Sequence, residues 1–292
     1  VDWSAAASPS PRKPSADAIW IGISRDSQAE PPIYCRTRAD ALARLAALLA
    51  QEQAAGRRVL AGFDFPFGYP AGFAAAVTGC AEGLAVWAHL AELIEDGPDN
   101  ANNRFAVAAA LNARFPGIGP FWGRPAGLDL PGLPERGSLR DRHGMTERRR
   151  AEARLGRAQP CWKLYTTGSV GSQALLGIAA LARLRDLIGA AVWPFDTGLR
   201  APDAPLVLAE VFPSLIDGTV RAAQGADEIR DAAQVRVLAG AFAALDAAGG
   251  LGPLFAGAPD LDGLSREIVA REEAWILGLG HAAALEAAWA GR

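Results

Sequence analysis

Apolar residues cluster early in the chain into short runs separated by turn residues. Ile19-Trp20-Ile21-Gly22-Ile23 and Ile33-Tyr34-Cys35 read as strands, with residues 1–4 as a strand before them and a Pro/Ser-rich loop at 8–15 between. Together they predict an antiparallel meander. From about Ala39 to Ala55 the period changes, with Leu42, Leu45, Leu48 and Leu49 on one stripe, so a helix is expected, stopped by Gly56. Arg58 to Phe63 is almost continuously apolar, as in a strand buried on both faces. The order so far is β-β-β-α-β. Four residues are short for a central strand, so the first strand is expected to begin upstream of Val1.

The rhythm breaks between 71 and 165. Short helical pieces (73–77, 84–94, 105–114) alternate with Pro/Gly-rich loops, which suggests an inserted helical and loop cap, with 1–70 and 166–292 forming the core. Regular structure resumes with a helix at 172–188, strands at 191–195 and 206–212, and helices at about 227–247 and 265–289. Alternating strands and helices place the chain in the α/β class.

Composition narrows the function classes. Half of the 292 residues are hydrophobic, and the net charge is only −3, which excludes a generic polyanion binder. Cys35, Cys80 and Cys161 form neither a zinc pattern nor an even disulfide set, so a reducing cytoplasm is expected. The apolar runs are too short and interrupted for a membrane span. No Gly-x-Ser-x-Gly elbow is present and no Cys–His pairing is evident, so covalent hydrolase chemistry is not expected.

The candidate chemistry lies in acids set among apolar neighbours. Asp2 is in Val-Asp-Trp-Ser, Asp64 in Gly-Phe-Asp-Phe-Pro-Phe-Gly, Glu210 in Leu-Ala-Glu-Val-Phe-Pro, and Glu272 and Glu273 precede Trp275-Ile276-Leu277. A buried carboxylate is costly unless paired, hydrogen-bonded or bound to a cation. Several such acids on separate segments suggest a shared site for a hard divalent cation, Mg²⁺ or Mn²⁺. The competing reading makes Asp64 a turn cap, Glu210 an ion-pair member and Glu272–Glu273 a solvated pair. Thr166 to Ser172, before a helix, suggests a phosphate cradle through Ser169 and Gly171, or simply a helix cap by Ser169 or Ser172. The stretch 136–163 is rich in Arg, including Arg148-Arg149-Arg150 and Arg157. It suggests a rim for a nucleic acid or a nucleotide-like phosphate ligand, or else a solvated helix face.

On these residues the chain resembles the DUF429 family of predicted RNase H-like nucleases. The match lies in Asp2 on the first strand followed by the small polar Ser4, in Gly62, Asp64, Pro66 and Gly68, and in Glu210-Val-Phe-Pro-Ser214. The resemblance implies an RNase H-like mixed sheet, three antiparallel strands followed by parallel ones, flanked by helices. It also implies a metal-dependent phosphodiester hydrolase with Asp2, Asp64, Glu210 and Glu273 catalytic, Asp2, Asp64, Glu272 and Glu273 ligating metal, and Ser4 among the phosphate-binding residues. The family's last-helix motif is Asp-rich, where this chain offers Glu272-Glu273. Some relatives carry a molybdopterin-guanine dinucleotide synthesis label, for which no residue here supplies chemistry. Two alternatives remain: a nucleotide or phosphoryl-ligand enzyme of the related ATPase and kinase fold, and a non-catalytic binding module.

Overall fold

A computed structural model describes residues 1–292 except Ser27 and Arg157; the expectation for Arg157 therefore lies outside the described residues. Strands β1 (Ile19–Ile21) and β4 (Ile33–Cys35) pair antiparallel, and a small hairpin, β2 (Ser24–Arg25) with β3 (Gln28–Ala29), extends the turn between them. Helix α1 (Arg38–Ala54) follows, its N-terminus capped by Thr37, whose side chain accepts from Asp40 N–H. Ala41, Leu45 and Leu49 form its buried stripe.

Strand β5 (Val59–Phe63) pairs parallel with β7 (Leu206–Glu210), and β7 pairs parallel with the short β6 (Ala191–Val192). Every residue of β7 is buried, as a central parallel strand requires. Residues 1–3 join the two sheets. Asp2 exchanges backbone hydrogen bonds with Trp20 (2.9 and 3.2 Å), antiparallel. The Val1 nitrogen donates to Gly62 O (2.6 Å) and Asp64 N–H donates to Val1 O (3.2 Å), the slanted pattern of parallel neighbours. The strand order is therefore β4, β1, residues 1–3, β5, β7, β6. The protein is a mixed α/β structure whose small three-stranded parallel sheet is flanked by helices.

The segment 71–165 holds α2 (Phe73–Thr78), α3 (Gly83–Leu93), α4 (Arg104–Asn112) and the single turn α5 (Arg150–Ala153). It shares a core with the sheet: Phe73, Trp87, Phe121 and Trp162 belong to the same buried cluster as Trp3, Phe63 and Phe65. Helix α6 (Gly171–Ile188) crosses this core, and α8 (Arg230–Ala247) packs on β1 and the β2–β3 hairpin, with α7 (Asp217–Ala223) against it. No helix among the described residues is long and apolar enough to cross a membrane.

The last expected helix, 265–289, is not continuous. Helix α9 (Gly263–Ile268) widens into a π-helical turn at Val269–Glu273, and α10 starts only at Ala282 (Ala282–Ala290). Between them Ala274 adopts φ 61°, with Gly278 and Gly280 also left-handed, which breaks the helix. The freed segment runs beside the end of β7: Leu277 N–H donates to Glu210 O (2.8 Å). The apolar period of Trp275-Ile276-Leu277 thus belongs to a strand-like piece in the sheet plane.

Gly68 locks the Asp64 turn to this segment. A Cβ at Gly68 would lie 2.4 Å from Glu272 O and 2.6 Å from Glu273 O, both backbone atoms with little freedom to retreat. Gly68→Ala is expected to destabilise the fold by about 1–3 kcal/mol, the range of overpacking. An unchanged urea midpoint would refute the close approach.

Candidate functional site

Asp2 and Asp64 meet at the ends of neighbouring strands. Their side chains share a hydrogen bond, which requires a proton between the two carboxyls. Burial pushes Asp2 well above the usual carboxylate range, and the Asp64 charge pushes it the same way. Burial also raises Asp64, while hydrogen bonds from Asp2 and from Trp3 N–H (2.8 Å) to its carboxylate pull it down. Two buried carboxyls this close disfavour a second negative charge.

The surrounding residues fix the strand end. Buried Arg38 donates to Ser4 O (3.1 Å) and Ala6 O (2.8 Å), and forks onto Asp96 at 2.6 Å through both nitrogens. The Ser4 hydroxyl donates to Asp17 O (2.8 Å) and is itself buried, so it braces a loop and offers no free phosphate contact. Gln173 of α6 donates to Trp3 O (2.6 Å).

The same loop delivers a third acid. Asp17 N–H donates to Asp231 Oδ2 (2.8 Å), and the Asp231 charge acts on Asp2. Burial raises Asp231, and the nearby Asp17 carboxylate adds to this. Asp231 stands in the first turn of α8, and the sequence reading passed over it. Acids in a first turn ordinarily complement the helix dipole, and Asp231 fits that explanation. The signal available was Asp-Ala-Ala opening a helix whose Ala232 and Val235 pack on Trp20, the residue paired with Asp2.

Glu272 and Glu273 are placed elsewhere. Glu272 Oε2 accepts from Gly72 N–H (2.9 Å). Glu273 accepts from Ala71 N–H (3.0 Å), Arg150 N–H (2.7 Å) and the Arg150 guanidinium (2.7 Å). The chain entering α2 exposes two donors there, and the π-turn supplies the two carboxylates that satisfy them. This corrects the expectation that they complete a metal site with Asp2 and Asp64. Among the described residues no three His, Cys, Asp or Glu side chains stand as a ready coordination shell.

Glu210 is buried, as expected, and lines with Asp64 a cleft of about 40 Å³. Its oxygens, however, are occupied. Arg149 forks onto them at 2.6 and 2.7 Å, and Phe67 N–H adds 2.9 Å. Arg149 also holds Glu152 (2.9 Å) and Glu273 O (2.8 Å). Glu210 is therefore an ion-pair member, as in the competing reading, and its assignment as a catalytic base is corrected.

The basic stretch is largely neutralised from within. Arg140 pairs with Glu147, Arg142 with Asp141, Arg149 with Glu210 and Glu152, Arg150 with Glu273, and Arg154 with Asp260. Arg149 is fully buried and out of a phosphate's reach; Arg150 is half-buried on Glu273; Arg148 alone of the three is exposed. Each of these five arginines thus meets an acid, which relieves the repulsion among them. The loop before α6 is not a phosphate cradle either. Gly171 N–H is spent on Lys163 O (2.9 Å), and the buried Ser172 hydroxyl donates to Leu164 O (2.6 Å). Ser169 N–H is spent on Thr166 O (3.1 Å). The N-cap position of α6 is Val170, with no side-chain cap, so neither Ser169 nor Ser172 caps the helix.

No family model, no curated protein and no solved structure matches the chain.

Proposed function

We propose that this chain is a metal-dependent phosphodiester hydrolase built on an RNase H-like sheet and related to the DUF429 family. The observation that carries the proposal is the meeting of Asp2 and Asp64 at the ends of neighbouring strands, where Trp3 N–H donates to Asp64 (2.8 Å) and Asp2 pairs with Trp20. The strand order and directions, an antiparallel meander leading into parallel β5 and β7, support the same fold. The donor set fits Mg²⁺ or Mn²⁺. Asp2 and Asp64 offer hard carboxylate oxygens, and two bare charges so close together are unfavourable without a cation or a proton. Asp2 and Asp64 would hold the cation, with water completing its shell. A cation bound there supplies Lewis acidity at a phosphoryl oxygen and lowers the pKa of water.

The protein's own residues do the positioning. Arg38 and Gln173 fix the strand that carries Asp2, Trp3 N–H orients Asp64, and Asp17 N–H orients Asp231. Arg148, Arg136 and the exposed Tyr165 are the groups left to meet a nucleic acid or nucleotide-like phosphate ligand.

Mn²⁺ titration tests the reading. Binding only to the native state raises its stability by about 2.7 kcal/mol at a hundred times Kd. That gain should be larger at pH 8 than at pH 5, because protons compete for the same oxygens. Cleavage of single- or double-stranded DNA or RNA should require the cation. A melting temperature indifferent to Mg²⁺ and Mn²⁺ at pH 8 would overturn the proposal. A response requiring ATP would move it to the kinase-like alternative.

A further inference from the structure

One face of the cap is built on a single bridge. Trp122 N–H donates to Trp162 O (3.1 Å) and Leu164 N–H to Trp122 O (2.9 Å), so 121–124 and 162–165 run side by side, parallel. Extended backbone sends alternate side chains to opposite sides. Phe121, Trp162 and Leu164 go inward and are buried, whereas Trp122, Lys163 and Tyr165 come out together. Gly123 permits the close pairing, since a Cβ there would lie 2.9 Å from Tyr165 N.

Rings and cations interleave on this outer face. Lys163 Nζ lies over the Trp122 ring, 5.9 Å from its centroid, and Arg140 Cζ lies over it at 5.5 Å. Gly137 also packs on that ring, a Cβ there standing 3.2 Å from it, which sets the exposed Arg136 at its edge. Arg140 is neutralised by Glu147. Lys163 donates only to Gln159 and to Thr167 O, and Arg136 meets no acid among the described residues. Tyr165 is 46% exposed, and neither its ring nor its hydroxyl has a partner among the described residues. Leu139, beside Arg140, and Ile118, which exchanges backbone hydrogen bonds with Asp141, extend the exposed apolar surface.

We infer that this face is a stacking platform for unpaired bases, so the polynucleotide that reaches the acid pair is single-stranded where it crosses the cap. The inference rests on the reading of Asp2 and Asp64 as a hydrolase site and narrows its substrate. Tyr165 offers a free ring, which any unpaired base can cover; a base inside a duplex has both faces stacked on its neighbours. Lys163 and Arg136 add two cations without an acid, a local surplus for phosphates in a chain whose net charge is −3. An acidic peptide would meet the cations but brings no flat face to Tyr165. The platform also adjoins the acids. Ser172 Oγ donates to Leu164 O and Gln173 Nε2 to Trp3 O, both at 2.6 Å, so consecutive residues of α6 touch the neighbour of Tyr165 and the neighbour of Asp2. A strand stacked on Tyr165 can continue to the carboxyls, whereas a mononucleotide cannot span both.

Fluorescence anisotropy of a short labelled oligothymidylate, measured in EDTA, tests the platform apart from any metal. The parent should bind the single strand about tenfold or more tighter than the same strand paired with oligoadenylate. Tyr165→Ala should weaken single-strand binding by about 5–150-fold, the loss of one base–aromatic stack, and leave duplex binding unchanged. Tyr165→Phe should restore it, because the ring alone stacks. Arg136→Gln and Lys163→Gln should each flatten the salt dependence by about 0.7 in slope. These side chains are exposed or half-buried, so the variants should melt with the parent. Equal affinity for single strand and duplex would overturn the inference, as would a Tyr165→Ala protein that binds as tightly as the parent. Polyglutamate competing as well as the oligonucleotide would overturn it in favour of an acidic peptide. Single-strand preference in a protein whose melting temperature ignores Mn²⁺ would keep the platform and remove only the hydrolase reading; a Mn²⁺ response without single-strand binding would do the reverse.

Discussion

Arg149→Ala is expected to lower folding stability by about 3–5 kcal/mol, the cost of removing one partner from a buried ion pair. The guanidinium is fully buried and spends its nitrogens on Glu210, Glu152 and Glu273 O. These acceptors come from β7, from α5 and from the π-turn before Ala274, so one side chain ties three parts of the fold. Glu152 also reaches back to Arg149 N–H (3.0 Å), which closes the first turn of α5. Removing the cation strands two carboxylates in the interior. Arg149→Lys keeps the charge but cannot fork onto Glu210, so an intermediate loss is expected. Glu210→Gln should be milder than Arg149→Ala, because the amide still accepts from Phe67 N–H. Urea unfolding of the three variants checks the order. An Arg149→Ala protein within about 0.5 kcal/mol of the parent, the usual range for surface changes, would remove the hub from the account.

This hub also marks where the sequence ceased to be legible. A buried acid in β7 was visible from its apolar neighbours, and the need for a counter-charge followed from desolvation. Nothing local said that the counter-charge would be the middle residue of Arg148-Arg149-Arg150. A run of three arginines looks like a solvated face, and its partition into exposed, buried and half-buried residues comes from the backbone turning into α5 at Arg149. Strands β1, β4 and β5 and helix α1 were legible for a simpler reason, whereas the β2–β3 hairpin was not foreseen. Each legible element is a single run with one period, and α1 and β5 fall within one residue of their expected ends. The C-terminal stretch failed because Trp275-Ile276-Leu277 suits a helix as well as a strand. What decides is the left-handed Ala274 and the free edge of β7 at Glu210, and neither is encoded by apolar spacing.

The acids divide in the same way. Asp2 and Asp64 were readable because each follows a strand and the strands are neighbours. Asp231 was hidden because its position, the first turn of a helix, has an ordinary explanation in the dipole. Glu272 and Glu273 looked exceptional only while they were taken to lie on a continuous helix; in a π-turn above the entry to α2 they satisfy backbone donors.

Asp2→Asn is expected to have opposite effects on stability and on function. In the folded protein Asp2 is raised well above its unfolded value by burial and by Asp64. A raised carboxyl contributes stability that is fully present below the unfolded value, about pH 3.9, and is lost as pH rises through the folded value. The metal-free parent should therefore lose stability relative to Asp2→Asn as pH climbs above about 4, and at pH 8 the variant should melt higher. The amide still donates to Asp64, so the strand pairing is kept. Adding Mg²⁺ or Mn²⁺ should reverse the ranking: the parent gains a bound cation in place of the shared proton, and the variant, having lost an anionic oxygen, gains little. Any cation-dependent cleavage should fall by more than the 10–100-fold that loss of an outer-shell group costs. Asp64→Asn should behave alike, because the two oxygens act as one site. Melting curves at pH 5 and pH 8, each with and without Mn²⁺, separate these effects. If Asp2→Asn matches the parent in both pH slope and cation response, the carboxyl pair is a structural contact, and the acids at this edge of the sheet bind no metal.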